Sequence, residues 1–276
     1  MLGDIRAAAL VAAGLLLNSA QVKGEELHPA TIVPNSTYVA EVSSRLRMGW
    51  TEIAFRGNQP KAWDGTVSPE VRASLRVMAG LFEGKVEIGG VEDRFGRYEF
   101  ADSNSLKAEL QFGLNTGDWS YLVEWKGRNV FAADDNDFLA GLNSYGVRVK
   151  HRFSSEFFSG LSAGLFQLSF GAGYGAAIPS LFQREYADCE LEMVQVFGDG
   201  FALTVAPKVE FADFVDFAGT DRTDAVFSLR IVPSYNFGSG VTVSVEGQAT
   251  VGLSTLESKS GESWAITPIL RLVRAL

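Results

Sequence analysis

Strict two-residue alternation, sustained well past the length of an ordinary strand, is the feature that most restricts this chain. Between Val241 and Ser254, the residues Val241, Val243, Val245, Gly247, Ala249, Val251 and Leu253 share one face. Thr242, Ser244, Glu246, Gln248, Thr250 and Ser254 share the other. Successive side chains of a strand point to opposite faces, so this run has one apolar and one polar side. Strands of soluble proteins are usually about 5–6 residues long. The preceding stretch repeats the pattern, with Ala225, Phe227, Leu229, Ile231 and Tyr235 alternating with Ser228, Arg230, Ser234 and Asn236. Gly238-Ser239-Gly240 joins the two runs as a tight turn, where glycine tolerates positive φ.

The same unit recurs along the chain. Asp188–Phe197 and Phe201–Phe211 flank Gly198-Asp199-Gly200, and Leu106–Leu114 and Trp119–Val130 flank Asn115-Thr116-Gly117-Asp118. Tyr145–Phe153 and Phe157–Phe170 flank Ser154-Ser155-Glu156, and Val71–Leu81 precedes a turn near Glu83-Gly84. Longer polar or glycine-rich connections separate the hairpins, at roughly 57–69, 91–103, 132–143, 171–183, 212–223 and 255–262. Counted from a first strand at Tyr38–Phe55, the chain holds about twelve strands. With Gly198-Asp199-Gly200 as a three-residue turn, Glu190 falls opposite Lys208. Such an opposed pair contributes about 0.2–1 kcal/mol.

No segment has the eighteen consecutive apolar residues of a membrane-spanning helix. A membrane protein without such helices must close its sheet, because an open edge would leave backbone groups unpaired in lipid. Short turns alternating with longer loops, and strands long enough for a tilted crossing, resemble bacterial outer-membrane β-barrels as a class, of the twelve-stranded, porin-like kind. The resemblance spans the mature chain and carries no family-specific motif. It implies an all-β fold: a single closed antiparallel barrel in the outer membrane of a Gram-negative bacterium, inserted by the barrel-assembly machinery and surrounded by lipid. Residues 1–20 are expected to be a secretory signal, with Arg6 ending the n-region and an apolar run from Ala7 to Leu17. Residues 21–36 then form a periplasmic segment and 37–276 the barrel. Phe112 and Trp119, Phe153 and Phe157, Phe197 and Phe201, and Tyr235 and Phe237 flank successive short turns, as an interfacial aromatic girdle would. Barrels of this class usually end in an aromatic residue, and here Leu276 stands in that place.

If the apolar face meets lipid, the other face lines the lumen. That face is expected to carry Arg45, Arg47, Arg72, Arg76, Lys85, Lys107, Lys126, Arg128, Arg148, Lys150, Arg152, Lys208, Arg230 and Arg271, with Glu190, Glu210 and Glu246 among its acids. Fourteen bases against nine acids leave the lumen at about +5, inside a chain of net charge −9. The outer loops hold the excess acid. A basic wall attracts anions, and twelve-stranded channels for acidic sugars are lined by arginines, so the resemblance implies passive diffusion of small, preferentially anionic solutes. The competing reading is a barrel filled by paired charges, with a structural or assembly role or a lipid-modifying hydrolase activity.

Other chemistry is weakly represented. One cysteine permits no internal disulfide, and two histidines permit no zinc cluster of Cys/His type. The acidic balance disfavours a nucleic-acid binder. His151 with Ser154 and Ser155 suggests a serine hydrolase, but no orienting third group is evident. Asp134-Asp135-Asn136-Asp137 lacks the glycine and terminal Glu of an EF-hand. Gly171-Ala172-Gly173-Tyr174-Gly175 lacks the Lys-Ser/Thr of a P-loop and reads as a flexible outer loop. Neither cofactor nor metal is expected, and Cys189 falls on the lipid face.

Overall fold

The structure, a computed structural model, describes residues 36–53, 62–97, 99–154, 164–197, 200–217, 220–238, 240–256 and 260–275. The expected signal segment, nearly all of the periplasmic segment, Phe157 and Leu276 lie outside these. Twelve strands follow in chain order: β1 (Ser36–Ile53), β2 (Ala62–Ala79), β3 (Phe82–Phe95), β4 (Ser103–Thr116), β5 (Trp119–Ala132), β6 (Phe138–Ser154), β7 (Gly164–Ile178), β8 (Arg184–Phe197), β9 (Phe201–Phe217), β10 (Thr220–Asn236), β11 (Val241–Ser254) and β12 (Gly261–Ala275). Each pairs antiparallel with its sequence neighbours, and β1 pairs with β12, so the sheet closes as a barrel with no free edge. Helical structure among the described residues is limited to two 3-10 turns, Glu99–Ala101 and Ser180–Phe182.

The burial pattern is that of a soluble protein turned inside out. Large apolar side chains such as Val86, Leu106, Val123, Val147, Phe170, Phe227, Val245 and Ile266 are exposed on the outer face. Small and polar side chains such as Ser43, Ser68, Ser105, Ser120, Ser169 and Thr267 are buried against the inner one. Aromatic rows mark both membrane boundaries. At the short-turn end, Tyr121, Trp119, His151, Phe153 and Phe166 stack in succession, with centroids 4.3 to 6.4 Å apart. Phe197 with Phe201 and Tyr235 with Phe237 continue that girdle. At the other end Trp50 meets Trp264 and Phe131 meets Phe138.

Three expectations about connections are corrected. The β2–β3 turn is Gly80–Leu81, not near Glu83-Gly84, because Gly80 supplies the positive φ of 60°. Ser155 and Glu156 of the expected Ser154-Ser155-Glu156 turn lie outside the described residues. The long loops are shorter than expected because the strands run on past the membrane. On the outer face of β3 and β4, Arg94 bonds Glu92 at 3.3 Å and Asn104 at 3.0 Å. Once both faces meet water, alternation of polarity disappears although the ladder continues. Gly171-Ala172-Gly173-Tyr174-Gly175 lies inside β7, not in an outer loop. Its glycines face the lumen and its Ala172 and Tyr174 face outward.

Candidate functional site: a charged belt in the lumen

Register places every one of the seventeen sequence-expected lumen residues on the inner face. The extended strands bring five further acids there that sequence reasoning missed: Asp64, Glu70, Glu83, Asp93 and Asp224. They also bring two further bases, Arg184 and Arg222. Among the described residues, the basic excess therefore falls from the expected five to two. Pro69 before Glu70 broke the apparent period at the start of β2, and this hid the most important of these acids.

The inner charges form a wall of ion pairs that is continuous from Arg72 to Arg184. Arg72 bonds Glu70 at 2.8 Å and Glu87 at 3.3 Å. Lys85 joins Glu87 at 2.8 Å to Glu109 at 3.9 Å, and Lys126 joins Glu109 at 3.8 Å to Glu124 at 3.0 Å. Arg148 connects Glu124 at 3.1 Å to Asp188, which it grips through two nitrogens at 2.7 and 2.9 Å. Lys208 then lies 4.0 Å from Asp188 and 2.9 Å from Glu210, and Arg184 lies 3.1 Å from Glu210. Separately, Arg230 gathers Glu190, Glu192 and Glu246 at 3.2, 3.0 and 4.0 Å. Lys107 reaches Glu70 at 2.9 Å, Arg128 reaches Asp93 at 3.3 Å, Arg76 reaches Glu83 at 3.3 Å and Arg271 reaches Glu41 at 3.0 Å. Arg72, Glu109, Arg148, Lys208, Arg230 and Glu246 all sit near the middle of their strands, so much of the wall is a belt halfway along the lumen.

Glu190 stands directly opposite Lys208, as the turn predicts. Their side chains nevertheless part: Lys208 turns to Glu210 and Glu190 to Arg230. Diagonal partners on the same inner face win over the directly opposed one.

The lumen-facing glycines of β6 and β7 make the belt possible. A Cβ at Gly171 would come within 2.8 Å of both Arg148 Nη2 and Asp188 Oδ2. One at Gly146 would come within 2.8 Å of Tyr186 Oη. Without side chains there, the Arg148–Asp188 pair and the Tyr186 hydroxyl lie flat against the wall. Beside the belt is open space of about 490 Å³, lined by Arg72, Lys107, Glu109, Lys126, Arg128, Arg184 and Arg222 among others.

Among the described residues, Arg45, Arg47 and Lys150 make no ion pair or side-chain hydrogen bond, and Arg152 contacts only Gln167, at 3.3 Å. His151 faces lipid within the aromatic row, its ring 4.3 Å from Trp119 and its Nδ1 without a hydrogen-bond partner. No acid orients it, so the described residues assemble no Ser-His-acid arrangement. Asp134 and Asp135 turn their carboxylates back onto backbone N–H groups of their own loop. Cys189 pairs with Phe170 on the outer face.

A closed, outward-apolar, inward-charged sheet between two aromatic girdles is an outer-membrane β-barrel. No protein-family model and no curated protein matches the sequence. Among solved structures, an outer-membrane channel from Pseudomonas putida F1 superposes with a TM-score of 0.57 at 14% identity, over 91% of this chain and 100% of that one. LpxR from Salmonella typhimurium superposes with a TM-score of 0.53 at 11% identity, over 85% and 99% of the two chains. These likenesses show the shared barrel fold.

Proposed function

We propose that this chain is a channel for passive diffusion of small solutes, with a mild preference for anions. One observation carries the reading: among the described residues the ion pairs run along the wall and none crosses the lumen. Every inner pair among the described residues joins residues of one strand, of neighbouring strands, or of strands next but one, as in Glu70–Lys107, Arg148–Asp188 and Arg230–Glu190. A barrel plugged by its own charges would instead tie opposite walls together. Several of the paired bases also keep contact with water, with Lys126 44% and Arg128 38% exposed. A dry interior would penalise so many charges severely.

The anion preference rests on the unpaired bases rather than on the whole wall. Arg148, a natural candidate for an anion contact, is already saturated by Glu124 and Asp188. Arg45, Arg47 and Lys150 supply the field that remains. Acidic outer residues such as Asp134 and Asp135 oppose it at the mouth, but exposed charges are screened beyond a Debye length of about 8–10 Å. Moderate salt should therefore weaken the repulsion more than the attraction. On this reading the barrel sits among outer-membrane lipids, placed there by the assembly machinery.

Purified protein in planar bilayers tests both levels. Discrete conductance steps are expected, with a reversal potential across a KCl gradient that favours chloride. An absence of steps removes the channel and leaves a structural or assembly role. Steps with cation preference remove the basic wall from the mechanism while leaving the channel.

A further inference from the structure

We infer that Arg45, with Arg47 one inward position further along β1, forms a subsite for the carboxylate of a passing solute; the inference deepens the channel reading and rests on it. The argument begins from a missing partner. In the β1–β2 register Arg45 stands directly opposite Glu70, and Arg47 opposite Ser68. Glu70 is the natural counter-ion for Arg45, yet all three of its hydrogen bonds come from other bases. Arg72 binds Oε1 and Oε2 at 2.8 and 3.0 Å, and Lys107 binds Oε1 at 2.9 Å. On the other side Arg45 faces Ile269 of β12, which offers nothing polar. Its Nε is sealed into the wall without an acceptor, so the terminal nitrogens must make whatever contacts the guanidinium has.

Ser68, opposite Arg47, is also committed, donating to Asp93 at 2.6 Å. Among the described residues, two guanidinium groups on one face, two residues apart along a strand, are thus left without protein acceptors about midway along the lumen, beside a belt in which most bases are paired. Their Cα atoms are separated by roughly 6.5–7 Å at the usual rise per residue. Across the barrel, six strands away, β7 presents the glycines Gly171, Gly173 and Gly175 to the lumen. No side chain of β7 at those positions competes for the two arginines. A fixed fork of N–H donors matches a planar carboxylate better than it matches chloride, which has no bidentate edge. The subsite therefore discriminates among anions, which a diffuse positive field does not.

The probe is citrate, added to single channels at fixed KCl. Half-block of the current is expected at a concentration about tenfold lower in the wild type than in Arg45→Gln, consistent with the loss of one charge-assisted contact. Arg45→Lys, which keeps the charge but not the fork, should fall between them. Equal half-block in wild type and Arg45→Gln, with both conducting, overturns the subsite and leaves the channel intact. Calorimetric titration of citrate into the detergent-folded barrel reads the same site without requiring conductance. Binding lost in Arg45→Gln supports the subsite even if no current is seen, whereas no binding by the wild type, or binding unchanged in the variant, overturns it. Retained heat-dependent gel mobility shows that the variant is folded.

Discussion

The Arg148–Asp188 pair offers the sharpest measure of how wet the lumen is. The Asp188 side chain is 1% exposed and Arg148 is 11% exposed, so neither group can simply return to water when its partner is lost. Replacing Arg148 by Met removes two parallel bonds to Asp188 and the one to Glu124, itself only 5% exposed. Asp188 is then left with Lys208 at 4.0 Å, while Glu124 keeps Lys126 at 3.0 Å. Breaking one side of a buried pair typically costs about 3–5 kcal/mol because the other charge stays behind. Lys208 and Lys126 supply partial compensation, so the lower part of that range, about 3 kcal/mol, is expected. A second change, Asp188→Leu, removes the stranded charge and should return much of the loss, since an apolar replacement of a buried pair is often neutral. Equilibrium urea unfolding of the barrel in lipid vesicles, followed by tryptophan fluorescence, measures both. A loss below about 1 kcal/mol for Arg148→Met would refute the reasoning, because that is the range of solvent-screened surface pairs.

Gly171→Ala should displace the same pair, costing about 1–3 kcal/mol as an overpacked site does, and should cost less in an Arg148→Met background. Additive losses in the same unfolding assay would show that the glycine does not serve the pair. His151→Ala should cost about 0.5–1.5 kcal/mol through loss of its stack on Trp119, and should leave phospholipid and lipopolysaccharide untouched, as in the wild type. Lipid turnover that disappears in His151→Ala would instead reinstate the hydrolase reading.

Much of this molecule is written locally. Period two divides the residues between lipid and lumen because backbone geometry permits nothing else for a strand. Turn glycines punctuate the hairpins, and the register of β8 against β9 follows from counting residues across a three-residue turn. The need to satisfy every backbone group in lipid then requires closure, so a barrel follows from the alternation and the turns together. Reading failed where one of these signals was absent. Strand ends beyond the membrane, such as Glu92 to Arg94, meet water on both faces and lose their alternation. Gly171, Gly173 and Gly175 resembled a loop because the residues they leave room for are not beside them in sequence.

Which charges pair was decided only by the curved sheet. Arg148 and Asp188 are 40 residues apart and meet across a strand whose inward position, Gly171, carries no side chain. Arg45 shows the point most clearly. Pairing of β1 with β2 gives it Glu70 as its neighbour, and a count of charges would close the account there. Curvature brings Lys107 over from β4, two strands away, to join Arg72 on that same carboxylate. Oε1 accepts from both of these bases and Oε2 from Arg72 again, while no bond reaches the carboxylate from Arg45, so that base is left over. The identities of the inward residues are fixed by the chain, whereas the one that remains without a partner is fixed by how far each side chain reaches inside a closed wall.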